Sequence, residues 1–386
     1  MELVDGNRLQ LLRTGAEFFP ALEAAIAGAR HEIYLETYIF ADDATGRRIA
    51  RALAEAAAQG VHTNVVVDGM TVKRYVGTLR ERLLAAGVSF VIYRPDISPW
   101  DFSARRLRRL HRKIAVIDAR VAFVGGINII DDMHTPGQVP PRYDYAVRVE
   151  GPLVGAIRDE ADRLWRLVAL SNFQQWSGVA PAPPPAAETV PRGFQRAAFL
   201  IRDNFRHRSD IEDAYLAAIE QANEEIVIAA AYFFPGTRFR RALVAAAARG
   251  VRVIVLLQAR VEYVLLHYAS RALYGALLDA GVHIFEYTKS FLHAKVAVVD
   301  GRWATVGSSN IDPLSLLLAR EANLVVEDRK FAQELRESLL ERVVDGARPV
   351  ARARWRRQPL HLRVRIWLAY GIARFFIGWF GYGGKH

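Results

Sequence analysis

The chain contains no cysteine. That absence excludes disulfides and thiolate metal sites, and it leaves the redox compartment open. Long apolar runs are missing too: no window reaches the roughly 18 to 20 consecutive apolar residues of a spanning helix. The longest approach, "IWLAYGIARFFIGWFGYGG", is interrupted by Arg374 and several glycines. The opening "MELVDGNRLQLLRTG" has acidic residues early and no continuous apolar stretch, so it does not read as a signal peptide. Acidic residues are in deficit, 41 against 52 Lys and Arg, leaving a net charge of +11. Such a balance favours a polyanionic partner, and DNA, RNA or an anionic membrane all qualify. With 386 residues, 52% hydrophobic and 24% charged, the chain is neither disordered nor many-spanning and holds two or three domains' worth of core.

What is present is a phrase written twice. "LHRKIAVIDARVAFVGGINI" runs from Leu110 to Ile129, and "LHAKVAVVDGRWATVGSSNI" from Leu292 to Ile311. Folding alone does not require the polar residues of the two to coincide. The likeness extends around them. "EIYLETYIF" (Glu32 to Phe40) matches "EIVIAAAYFF" (Glu225 to Phe234), each a buried-strand pattern of β-branched and aromatic residues. Each is followed by an Ala-rich amphipathic segment that stops at Gly and feeds another apolar run. "LLAAGVSFVIY" and "LLDAGVHIFEY" repeat the helix, Gly, strand order before the shared phrase. The order β-α-β-α-β-β-β in each half predicts an α/β fold made of two similar domains, each a helix-covered mixed sheet. The period is too long for a solenoid. "WSGVAPAPPPAAETVPRG" marks the boundary, because its prolines cannot join a helix or a central strand. The organisation expected is therefore residues 1–175, a linker at 176–193, a second domain at 194–345, and a basic aromatic tail at 346–386. The first half carries extra residues before His111, including "ARRLRRLHRK". That basic run reads either as a solvated face or as a means of holding anions at the site.

Alternation along a strand puts His111 and Lys113 on one face, and His293 and Lys295 likewise. Asn128 and Asn310 follow at the end of the next strand-like stretch, among small residues and backbone amides. Imidazole, ammonium and amide donors together suit a phosphoryl group: His attacks phosphorus while Lys and Asn stabilise the non-bridging oxygens. Two copies brought into one interface cleft would let one His form a phospho-histidine while the other protonates the leaving oxygen and then activates an acceptor. This chemistry needs no metal and no cofactor. Asp131 and Asp132 are the nearest candidate metal ligands and read more simply as a solvated turn.

H-x-K-x4-D followed by a Gly-containing turn and Asn resembles the signature of the phospholipase D superfamily. It is intact twice, as His111, Lys113, Asp118 and as His293, Lys295, Asp300. The resemblance covers nearly the whole chain. It implies two phospholipase D-like domains with the active site at their interface, and those six residues as the catalytic set. It also implies that Asp118 and Asp300 order strands and turns, and that other carboxylates orient the histidines. By position these are Asp144 in "RYDYAVRVEGP" and Glu321 in "AREANLVVED", the latter with Ala319 where Asn is common in the family.

Within the superfamily the chain is most similar to bacterial cardiolipin synthases of the B type, on "GRRIARALAEAAAQGVHTNVVVDG", "AVIDARVAFVGGINI", "YFFPG" and "GSSNIDPLSLLLAREANLVV". That resemblance implies phosphatidyl transfer from one phosphatidylglycerol to another, giving cardiolipin and glycerol. Hydrolytic phospholipase D and a nuclease of the same superfamily are the alternatives, though the synthase reading expects no nucleic acid partner. Oligomeric state is not readable. Between Arg348 and Arg374 stand eight arginines and no acidic residue, followed or interleaved by Trp355, Trp367, Phe375, Phe376, Trp379 and Phe380. Arginine with aromatics suits the headgroup zone of an anionic membrane. The expectation is a peripheral enzyme on the cytoplasmic side of the cell membrane, attached through this tail.

Overall fold

The computed structural model describes residues 1–95, 108–135, 139–171, 190–203, 206–261, 264–312 and 319–377. Its first half runs β1 (Val4–Arg13), α1 (Thr14–Ala27), β2 (Glu32–Thr37), α2 (Ala44–Ala58), β3 (His62–Asp68), α3 (Gly69–Tyr75), α4 (Leu79–Ala85), β4 (Ser89–Tyr93), β5 (Lys113–Ile117), β6 (Val121–Gly125), β7 (Tyr145–Glu150) and α5 (Leu153–Ser171). The second half repeats this order as β8 (Gln195–Arg202), α6 (Asp210–Gln221), β9 (Glu225–Ala230), α7 (Thr237–Ala248), β10 (Arg252–Gln258), α8 (Val264–Arg271), α9 (Tyr274–Asp279), β11 (His283–Tyr287), β12 (Lys295–Val299), β13 (Trp303–Gly307), β14 (Glu321–Glu327) and α10 (Arg329–Gly346). Three elements follow: β15 (Ala347–Pro349), α11 (Arg352–Arg356) and α12 (Leu360–Ile377). The strands read from sequence are present. Strands β1 and β8, which pair with each other at the middle of the sheet, complete each half with the helices after them.

All strands join one sheet in the order β15-β11-β10-β9-β12-β13-β14-β8-β1-β7-β6-β5-β2-β3-β4. Reading outward from β8–β1, the two halves have the same connectivity. In each, a parallel trio (β2, β3, β4 or β9, β10, β11) meets an antiparallel group. The trio is joined by helices, as parallel strands require. Gly60 and Gly250 end α2 and α7 in the left-handed conformation, φ +88° and +91°, which only glycine adopts without strain.

The outer face of the first half-sheet packs on α1, α2 and α4, around Phe18, Leu22, Ile49, Leu53 and Leu83. The second half repeats this with α6, α7 and α9, around Ile219, Phe239, Leu243 and Leu277. One core is shared between the inner faces of both halves, with Ile157 and Leu164 from α5 and Leu335 and Leu339 from α10. The proline-rich boundary lies mostly outside the described residues. Its end is seen where the Arg192 N–H donates to the Gly6 carbonyl at 2.8 Å. Of the basic run before His111, residues 104–107 also fall outside them. Of the tail, β15 pairs antiparallel with β11, and Arg356 lies 2.9 Å from Asp279. Residues 347–356 are thus tied to the second half through β11 and Asp279, although most of them are exposed.

Candidate active site

Lys113 and Lys295 open β5 and β12, with each His two residues ahead. These strand starts lie beside the C-terminal ends of the parallel trios: Lys295 is opposite Ala230, the last residue of β9. Loops at the carboxyl ends of parallel strands are where α/β folds build sites. The two halves are joined here by matching backbone contacts. Leu110 bridges Arg320 and Leu292 bridges Tyr143. The His111 N–H donates to the Arg320 carbonyl at 2.9 Å, and the His293 N–H to the Tyr143 carbonyl at 2.7 Å.

Because Arg320 and Tyr143 immediately precede Glu321 and Asp144, each carboxylate is delivered to the His of the other half. Nδ1 of His111 lies 2.9 Å from Glu321 Oε1, and Nδ1 of His293 lies 2.6 Å from Asp144 Oδ2. Both carboxylates are buried. A carboxylate is an obligate acceptor, so Nδ1 of His111 carries the proton and its Nε2 keeps the lone pair. At His293 the shorter contact to Asp144 sets the same tautomer against Lys295 Nζ, which stands 2.8 Å from the same Nδ1. Glu321 also accepts from the Ser308 hydroxyl. Asp144 instead has Lys295 Nζ at 3.5 Å and the Tyr145 N–H at 2.8 Å. Gly126 occupies the place of Ser308, and a Cβ there would overlap the Asp144 carboxylate. The "GGIN" and "GSSN" difference carried that signal in the sequence.

Burial dominates the electrostatics. It lowers His111 against the opposing pull of Glu321. His293 is pushed down to about 3 by burial and by Lys295. Lys113 falls to about 7, burial outweighing Glu321. Burial would raise Asp144, but Lys295 and the hydrogen bond from His293 reverse this and hold it below the usual carboxylate range. The site therefore encloses two imidazoles and two lysines whose charged forms are disfavoured in the first half's pair and at His293, an arrangement that an entering anion relieves.

Arg112, between His111 and Lys113, faces the opposite side of β5. It is 1% exposed and clamped by Glu36 at 2.9 Å and Glu160 at 2.6 Å. This network ties β5 to β2 and α5 and sets which face of the strand reaches the cleft. In the second half Ala294 follows His293 in the place that Arg112 holds after His111.

Asn128 and Asn310 are both buried next to these strands. The Asn128 oxygen accepts from the Ile39 N–H at 3.1 Å, which leaves its amide N–H groups as donors. Asp118 and Asp300 are not part of the cleft. Each sits at the far end of its strand, five residues and about 16 Å of extended chain from the lysine. Asp118 accepts the N–H groups of Arg30, His31 and Glu32 at 2.7 to 3.0 Å, itself at φ +53°. Asp300 does the same for Asn223, Glu224 and Glu225. Holding three backbone amides each, a strand length from the lysines, Asp118 and Asp300 are placed to clamp the turns before β2 and β9, the ordering role that the resemblance implied for them. Asp131 and Asp132 also hold backbone, accepting from Met133 and Gly15. Among the described residues no group of three His, Asp or Glu is placed to hold a metal.

A family model described as cardiolipin synthase, phospholipase D-like domain, matches residues 22–165 and 215–343. The chain belongs to this family. Cardiolipin synthase B of Escherichia coli (strain K12) is 42% identical over 335 residues, 87% of this chain and 80% of that one. Cardiolipin synthase B of Salmonella typhimurium is 39% identical over 378 residues, 97% of this chain and 90% of that one. Phosphatidylserine synthase of Haemophilus influenzae superposes with a TM-score of 0.65 at 15% identity, covering 97% of this chain and 95% of that one. At that identity the likeness concerns the fold, and it extends across both halves of this cardiolipin synthase family member.

Proposed function

We propose that the protein is a phosphatidyltransferase that makes cardiolipin and glycerol from two phosphatidylglycerol molecules. Membership of the cardiolipin synthase family supports the reaction class. The observation that carries the mechanism is the crossed pairing of each His with the other half's carboxylate, since it makes one working site from two halves. Nε2 of His111 attacks the phosphorus of the first lipid. The P–O bond to its glycerol headgroup breaks, and His293 gives that oxygen a proton. Lys113 and Lys295, with the amides of Asn128 and Asn310, neutralise the non-bridging oxygens. A bound phosphodiester adds a negative charge to the cleft, which favours the protonated imidazole that this step needs. His293 then removes a proton from the terminal hydroxyl of the second lipid, which attacks phosphorus and breaks the P–N bond. His111 is regenerated, and no cofactor enters the balance.

The same reading puts the protein on the surface of an anionic membrane through α12. Ala369 and Ala373 pack with Ala269, Leu273 and Phe234. The rest of the helix turns Leu360, Val364, Trp367, Leu368, Ile372 and Phe375 outward, between 46% and 72% exposed. Arg363, Arg365 and Arg374 are exposed among them. Guanidinium groups beside large apolar side chains fit a headgroup layer over an acyl boundary. Among the described residues no helix is long and apolar enough to cross a membrane. Incubating the purified protein with labelled phosphatidylglycerol and excess chelator tests the chemistry. Cardiolipin and glycerol are the expected products; phosphatidic acid alone would replace the reading with hydrolysis.

A further inference from the structure

We propose that Arg142 and Arg260 form a second anion subsite beside His293, which holds the phosphate of the acceptor lipid while its terminal hydroxyl is activated. This rests on the synthase reading above and specifies its acceptor. The Phe291 ring stacks on the His293 imidazole, centroids 5.9 Å apart with planes 19° from parallel. The guanidinium of Arg142, from the first half, lies 5.1 Å from the Phe291 centroid. That of Arg260, from the second half, lies 5.8 Å from it. Both side chains are half-buried. Neither makes an ion pair or side-chain hydrogen bond with a described residue, and none of their nitrogens is sealed from solvent. The nearby buried acid Asp132, which feels the field of Arg142, directs its carboxylate to the Gly15 N–H.

The other side of the cleft is built differently. Two residues before His111, where Phe291 precedes His293, stands Arg109, which is buried and held to Asp68 at 3.4 Å. Arg112 is saturated by Glu36 and Glu160. Arg142 and Arg260 thus place two unclamped guanidinium groups beside His293, where the acceptor hydroxyl must lose its proton. Transfer to a lipid brings two phosphates into the cleft, and the two lysines serve only the one under attack. In phosphatidylglycerol the second phosphate is separated from the attacking hydroxyl by five bonds, about 6 Å when extended. That length matches one ring-to-ring step from His293 past Phe291. Arginine binds phosphate oxygens in pairs and retains its charge at all working pH. Water and simple alcohols carry no phosphate to be held there, so the subsite favours a lipid acceptor over both.

The test is a partition experiment with the full-length protein in mixed micelles of labelled phosphatidylglycerol and ethanol. Cardiolipin and phosphatidylethanol both leave the same phosphatidyl-enzyme, so their ratio is independent of how much of a variant is folded. In Arg142→Gln/Arg260→Gln the ratio of cardiolipin to phosphatidylethanol should fall about tenfold or more. Arg142→Lys/Arg260→Lys should recover part of it. An unchanged ratio, whatever happens to total turnover, overturns the subsite and leaves the synthase reading standing. A wild-type protein that forms phosphatidylethanol but no cardiolipin overturns the synthase reading, and the subsite falls with it.

Discussion

Glu321 holds the imidazole of His111 from 210 residues further along the chain, Oε1 to Nδ1 at 2.9 Å. Asp144 does the same for His293 in the opposite direction. Neither half of this cardiolipin synthase family member contains a complete His–carboxylate pair, so the duplicated domains form one site rather than two.

Crossed pairing should appear as crossed coupling. Glu321→Gln should lower turnover by about 100-fold or more, because the amide no longer selects the Nδ1–H tautomer. Adding Glu321→Gln to His111→Ala should cost little more than His111→Ala alone, as for residues acting as a unit. Asp144→Asn should couple to His293 in the same way. Kinetic double-mutant cycles read this directly, and coupling of Glu321 to His293 instead would refute the pairing.

The histidines and lysines were legible because strand alternation and the repeat both pointed to them. The assignment of carboxylates to histidines was not, since it arises from the Leu110–Arg320 and Leu292–Tyr143 bridges between halves. A long-range swap leaves no periodicity in sequence. Phe291 beside His293 reads as an ordinary core aromatic until its two arginines are seen above it. Asp118 and Asp300 show the converse: their positions within the motif are conspicuous, yet the amides they accept lie a full strand length from the chemistry.

Asp118→Ala should therefore act on stability. Leaving three backbone N–H groups without their carboxylate should cost about 3 kcal/mol, measured by denaturant unfolding. Turnover per folded molecule should remain within a few-fold of wild type. An undiminished stability with abolished turnover would return Asp118 to the catalytic set.

Activity should fall on the alkaline side. Burial places Lys113 at about 7 in the empty site, so above that pH it loses the proton that makes it a phosphate ligand. His293 must also be protonated for the first step. Held near 3 in the free protein, it takes up that proton with the bound phosphodiester, so kcat/KM already declines as pH rises toward 7. Loss of the Lys113 proton should steepen the decline in kcat/KM near pH 7, and the limb in kcat should lie higher, because bound phosphodiester stabilises the ammonium. A pH–rate profile in mixed micelles measures both. A kcat/KM flat from pH 6 to 9 would contradict it.

Removing residues 360–386 should release the protein from phosphatidylglycerol vesicles at moderate salt, while turnover of detergent-dispersed lipid persists. Cutting at 348 instead would remove most of β15 from the sheet edge and confuse attachment with folding. A narrower variant, Trp367→Glu/Leu368→Glu/Phe375→Glu, changes only outward residues and spares Ala369 and Ala373. Co-sedimentation of both variants at the wild-type level would exclude α12 as the anchor.

The central claim is that two half-sites act through one covalent intermediate. Rapid alkaline quench of the protein with labelled phosphatidylglycerol, followed by peptide mapping, tests it most directly. The account expects a phosphatidyl group on Nε2 of His111 in the wild-type protein, absent in His111→Ala and slow to form in His293→Ala, which lacks the acid for the leaving oxygen. Label on both histidines of the wild-type protein, or turnover with no trapped adduct in either variant, would contradict it.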